Sequence, residues 1–111
     1  MAITKNIKDN VLNVTGKGET AALTSDDLGT ATVINASKLP ATAPMTVTLT
    51  DGDNVTSVIG GKGADVITIN KSNVSLTGGN GNDIYVIQDG VTATITDFAK
   101  GDIIRLGTTY S

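Results

Sequence analysis

The sequence predicts an all-β fold, a parallel β-roll or β-solenoid with nine-residue half-turns and an irregular β segment at its N-terminus. Three features lead there. Short runs of strand formers recur every nine residues from Thr42 to Ile95. Gly, Asn and Asp fill the intervals between them, where turns are needed. No window carries sustained helical periodicity; Ala21 to Leu28 comes nearest, and it is short and interrupted by Ser25-Asp26-Asp27.

Taken in order, residues 1–41 hold two strand-like pieces, Val11–Thr15 and Thr30–Ile34, with Gly16-Lys17-Gly18 and Ser25-Asp26-Asp27 as turns. This segment is expected to act as a cap or assembly element, and Pro40 and Pro44 bracket the connector that follows. The nonapeptide roll is expected over 42–95, cut as Thr42–Thr50, Asp51–Ile59, Gly60–Thr68, Ile69–Thr77, Gly78–Val86 and Ile87–Ile95. Eighth positions are Leu49, Val58, Ile67, Leu76, Tyr85 and Thr94, apolar in all but the last. A turn of about six residues followed by about three extended ones winds into two parallel sheets. Each sheet then gains a strand every eighteen residues. An antiparallel sandwich with Gly-rich hairpins is the competing fold, but it gives no reason for a constant nine-residue phase. Residues 96–111 complete one domain as a C-terminal cap or tail.

Composition narrows the chemistry. The chain has 111 residues, a formal charge of -3, no Cys and no His, and Glu19 is its sole glutamate. Disulfide scaffolds, thiol nucleophiles, Cys/His zinc sites and His-based acid–base catalysis are excluded. A nucleic-acid binder needs a basic face, which this acidic chain lacks. No apolar run reaches the roughly 20 residues of a helical membrane span, and Met1-Ala2-Ile3-Thr4-Lys5 lacks the apolar core of a signal peptide. With aromatics limited to Tyr85, Phe98 and Tyr110, the small core calls for a staple, and the abundance of Asp points to a metal.

Two blocks repeat one motif: Gly60-Gly61-Lys62-Gly63-Ala64-Asp65-Val66-Ile67-Thr68 and Gly78-Gly79-Asn80-Gly81-Asn82-Asp83-Ile84-Tyr85-Val86. Glycines at the first, second and fourth positions let carbonyl oxygens turn inward and neighbouring turns approach closely. The Asp at the sixth position adds a carboxylate. An adaptable cage of carbonyl and carboxylate oxygens suits Ca²⁺ better than the tight octahedron of Mg²⁺. Since the two motifs begin eighteen residues apart, they are expected to stack and share one ion. The expected ligands are Asp65 and Asp83, the carbonyls of Gly61, Gly63, Gly79 and Gly81, and side-chain oxygen from Asn80 and Asn82. On the other side of the roll Asp51, Asp53 and Asp89 offer a weaker second site, against which stands the plainer expectation of simple β-turns.

These repeats, written G-G-x-G-x-D-x-U-x, resemble those of the RTX (repeats-in-toxin) family. Gly78–Val86 is similar to that family's final repeat, with Tyr85 in the inward slot. Ile95–Leu106 resembles the closing segment after such repeats in secreted bacterial proteases, lipases and surface-layer proteins. The likeness covers residues 51–106, about half the chain, and implies a β-roll, Ca²⁺-dependent folding and type I export through an uncleaved C-terminal signal. The chain departs from the family in having two good repeats, which excludes a long ladder of ions. Residues 1–41 carry no such likeness.

Other motifs give way. Asp51-Gly52-Asp53-Asn54 lacks the Gly and Glu that an EF-hand needs, since Thr56 and Lys62 occupy those places. Gly16-Lys17-Gly18-Glu19-Thr20-Ala21 has no βαβ context for a dinucleotide. Asn-x-Ser/Thr at Asn13, Asn35, Asn54 and Asn73 follows from composition. Asp97 and Asp102 are expected to cap a turn around Phe98 rather than to act as an acid–base pair. Alternating Thr in Thr46–Thr50 and Thr92–Thr96 is expected to be the solvent side of a strand, not an ice- or carbohydrate-binding face. The function expected is that of a non-enzymatic, calcium-binding structural module, extracellular or on a bacterial surface, that self-assembles into a layer or fibre by end-to-end strand pairing. The alternative is a C-terminal folding and secretion module of a larger type I secreted enzyme or adhesin. Neither nucleic acid nor membrane insertion is expected.

Overall fold

The computed structural model describes residues 3–88, 90–98 and 101–106. Its strands are β1 (Thr4–Lys8), β2 (Val11–Thr15), β3 (Ala21–Ala22), β4 (Val33–Asn35), β5 (Met45–Thr50), β6 (Ser57–Ile59), β7 (Val66–Asn70), β8 (Val74–Thr77), β9 (Ile84–Ile87), β10 (Ala93–Ile95) and β11 (Ile103–Leu106), with one helical turn, α1 (Ser25–Leu28), after β3. One sheet runs β1-β2-β4-β6-β8-β10 and the other β11-β9-β7-β5-β3. From β2 onward successive strands therefore alternate between sheets, and every pairing except β1 with β2 is parallel. The chain is a β-solenoid of about five turns.

Inward residues stack in columns along the axis. Leu12, Ile34, Val58, Leu76 and Ile95 form one column, and Val47, Ile67 and Tyr85 another, with Ile104 in register beyond Tyr85 but exposed. Leu12, Ile34, Val58, Ile67, Leu76 and Tyr85 are essentially inaccessible to solvent. The nine-residue half-turn holds in the middle of the chain, where Val58 pairs with Leu76 and Ile67 with Tyr85, eighteen residues apart. It drifts on either side. Val47, not Leu49, lies beside Ile67, so Leu49 is buried one inward place further along, next to Ile69. Ile95 pairs with Leu76, so the expected inward residue Thr94 is exposed. One or two extra turn residues suffice for each slip, because a single-residue shift exchanges the two faces of a strand.

Nor is the N-terminal segment irregular throughout. β2, β3 and β4 are already coils of the solenoid, joined to their successors by parallel ladders. Their coils are longer than eighteen residues, as in the pairings Leu12 with Ile34 and Ile34 with Val58, so no nonapeptide phase marks them. The surplus lies in connectors that bury Leu23, Leu28, Ala36, Leu39 and Ala43. Ser25-Asp26-Asp27, expected as a turn, starts α1 instead: Thr24 and Asp27 form a reciprocal capping box. β1 stands apart. It folds back on β2 through Asp9 and Asn10, both at positive φ (54° and 63°), a turn suited to a two-residue hairpin. Lys5 ties this strand to Asp27 at 2.8 Å and to the Ala22 carbonyl at 2.9 Å.

Candidate metal centre

Both glycine motifs lie on one corner of the solenoid, the first over the second. Gly60 N–H donates to the Thr77 carbonyl at 2.7 Å, and Ile84 N–H to the Asp65 carbonyl at 2.8 Å, which lock the two coils in register. The turns approach so closely that side chains have no room. A Cβ at Gly79 would lie 2.6 Å from the Gly61 carbonyl oxygen, and one at Gly81 would lie 2.5 Å from that of Gly63. Gly79 and Gly81 also hold φ of +79° and +92°, a region that other residues avoid. Thus the carbonyls of Gly61 and Gly63 face the second turn.

Asp65 and Asp83 are fully buried. Asp65 accepts from Met45 N–H through Oδ1 (2.8 Å) and from Gly61 N–H through Oδ2 (3.1 Å). Asp83 Oδ1 accepts from Asp65 N–H at 3.0 Å, and Asp102 Oδ1 accepts from Asp83 N–H at 2.9 Å. A ladder results in which each aspartate reaches back to the backbone of the preceding coil. By analogy with Asp65, Asp83 Oδ2 should take Gly79 N–H. That donor is engaged elsewhere: Asp97 accepts from Gly78 and Gly79 N–H, each at 2.9 Å. Consequently Asp83 Oδ2 is left without a hydrogen-bond partner, as is the Tyr85 hydroxyl, the two such buried side-chain atoms among the described residues. A Cβ at Gly78 would run into both atoms, so they lie together on one side of this glycine.

Burial in this setting disfavours negative charge. Desolvation raises Asp65 to about 6, against the hydrogen bonds from Met45 and Gly61. It raises Asp83 to about 7, and the nearby carboxylates of Asp65 and Asp102 push in the same direction. The Tyr85 phenol rises too, through burial and then the charge of Asp83.

No protein-family model, curated protein or solved structure matches the chain.

Of the expected ligands, Gly61, Gly63, Asp65, Gly79, Gly81 and Asp83 are brought together at this corner. Asn80 is exposed on the turn. Asn82 turns elsewhere: its amide oxygen rests on Gly101 of the closing segment. Among the described residues no three acidic side chains converge on a point. A cation here would depend on backbone carbonyls as well as on carboxylates. The donor set still fits calcium in chemistry: it is all oxygen, it carries two carboxylates, and one buried carboxylate oxygen has no partner.

Asp97 and Asp102 do act as caps, though residues 99 and 100, beside Phe98, lie outside the described residues. They cap the glycine turn of the second repeat, one coil back. The signal was their spacing: Asp97 lies eighteen residues after Gly79, and Asp102 nineteen after Asp83. Asp53, expected as a weaker ligand, is engaged by Thr50 N–H (2.8 Å), Val55 N–H (3.0 Å) and the Lys71 ammonium (2.9 Å). Asp51 is exposed, and Asp89 lies outside the described residues.

Proposed function

We propose that the chain is a non-enzymatic, calcium-binding structural module of an extracellular or cell-surface protein, whose folding and self-assembly depend on calcium. One observation carries this reading: two G-G-x-G-x-D turns are stacked so that carbonyls face the gap while Asp83 holds a buried, unpartnered carboxylate oxygen. Asp65 and Asp83 would hold the ion with the carbonyls of Gly61, Gly63, Gly79 and Gly81. When bound, Ca²⁺ supplies the positive charge that two desolvated carboxylates otherwise lack. Asp97 holds the glycine N–H groups, Asp102 holds the Asp83 N–H, and Tyr85 closes the inner wall.

An affinity on the order of 10⁻⁴–10⁻³ M would match extracellular calcium and leave the chain loosely folded in a calcium-poor cytosol before export. Support for assembly comes from the C-terminal end. There β10 and β11 are the outermost strands of their sheets among the described residues, and Phe98, Ile103 and Ile104 are exposed.

Far-UV circular dichroism during a calcium titration tests metal binding and folding together. The expected result is a saturable gain of β signal in the millimolar range, reversed by chelator, with light scattering rising in parallel. An unchanged spectrum from chelator to 10 mM calcium, on the order of ten times the expected midpoint, would overturn the reading. A strictly monomeric chain in both conditions would remove self-assembly from it.

A further inference from the structure

The corner opposite the glycine turns carries the same eighteen-residue stacking. Here the turn after β5 lies beside the turn between β7 and β8, and Asp53 stands eighteen residues before Lys71. Lys71 Nζ donates to both the Asp53 carbonyl (3.1 Å) and the Asp53 Oδ1 (2.9 Å). Both side chains are largely withdrawn from solvent, at 13% and 6% exposure. So one positive group sits between two stacked turns and collects a carbonyl and a carboxylate oxygen from the earlier turn.

We infer that this corner is a cation site that the chain fills with its own Lys71 ammonium. The ligand class is a small hard cation, and Asp53, through its carbonyl and carboxylate, is the group that recognises it. Asp53 is held rigid for this purpose by Thr50 N–H on Oδ2 and Val55 N–H on Oδ1. The glycine corner differs in one respect: its turns are Lys62 and Asn80 at the third position, both exposed, and no side-chain ammonium reaches Asp65 or Asp83 among the described residues. One side of the solenoid is thereby closed without metal, and added metal acts on the other. This deepens the proposed function by assigning calcium to a single corner, yet the Lys71 corner stands on its own geometry.

The test uses the full chain and its Lys71→Ala and Lys71→Arg variants, in an Asp83→Ala background as well as in the parent. Melting is followed in chelator and in 10 mM CaCl₂, roughly tenfold above the expected midpoint, and bound ions are counted by calorimetry. In chelator Lys71→Ala is expected to melt roughly 5 °C lower, while Lys71→Arg melts with its parent. Calcium should restore Lys71→Ala and bind it with one ion more than its parent, in both backgrounds. Equal melting of Lys71→Ala and parent in chelator, or no additional ion in Lys71→Ala, overturns the inference. Should the parent bind no ion while Lys71→Ala gains one, the proposed calcium function falls and the Lys71 site survives.

Discussion

Asp83 is where the opposing demands of this chain meet. Its Oδ1 is needed to hold the Asp65 N–H, yet its Oδ2 is buried beside a phenol without a partner. A carboxyl raised by burial favours folding in its protonated form. For Asp65 and Asp83, raised from 3.8 to about 6 and about 7, that contribution is present below about pH 4 and is lost as pH climbs through those values. Asp27, lowered chiefly by its hydrogen bond from Lys5, works the other way and loses its contribution only in more acid solution. Without calcium, urea midpoints should thus be higher near pH 5 than at pH 8. Binding calcium requires the ionised pair, so in calcium the order should reverse, and equal midpoints at both pH values in chelator would contradict the buried pair. Asp83→Asn should weaken calcium binding on the order of tenfold, read by calorimetry at pH 8, while exposed Asp26→Ala should leave it unchanged.

At the scale of elements, the turns rather than the strands set the tolerances. Gly81 and Gly90 both hold positive φ, but a Cβ at Gly90 meets nothing within 4 Å, whereas at Gly81 it meets the carbonyls of Lys62 and Gly63. Ala at position 90 bears the conformational penalty alone, roughly 1 kcal/mol. At position 81 a clash with backbone is added, for a total of roughly 3 kcal/mol. Chemical denaturation of Gly81→Ala and Gly90→Ala should separate them by roughly 2 kcal/mol. Strands between Ser57 and Ile87 were legible because turn glycines and inward apolar residues repeat together there. Thr94 misled because the coil from Leu76 to Ile95 holds nineteen residues, and the extra one turns it outward.

For the whole molecule, a solenoid gains stability from each coil's contact with its neighbours, so a local staple acts locally first. Calcium should therefore raise amide-exchange protection most in residues 57–87 and least in 11–35, whose coils depend on buried Leu12, Leu28, Ile34 and Leu39. Uniform protection across both halves would instead mean one fully cooperative unit. Core columns should respond as packed interiors do: Ile67→Ala, which removes a fully buried side chain between Val47 and Tyr85, should lower stability by about 2–5 kcal/mol in urea unfolding.

Local chemistry alone determined the all-β winding, the inward slots Val58, Ile67, Leu76 and Tyr85, and the pairing of the two glycine turns, because a strict spacing places equivalent residues one above another. Coil lengths that depart from eighteen are set by connectors whose folding depends on what they bury, so the first two coils and the slips at Leu49 and Thr94 emerged only in three dimensions. The partners of Asp97 and Lys71 were likewise decided by tertiary structure. Their spacing is visible in the chain, but which N–H each carboxylate takes, and which corner an ammonium closes, depends on how adjacent coils share a small number of donors.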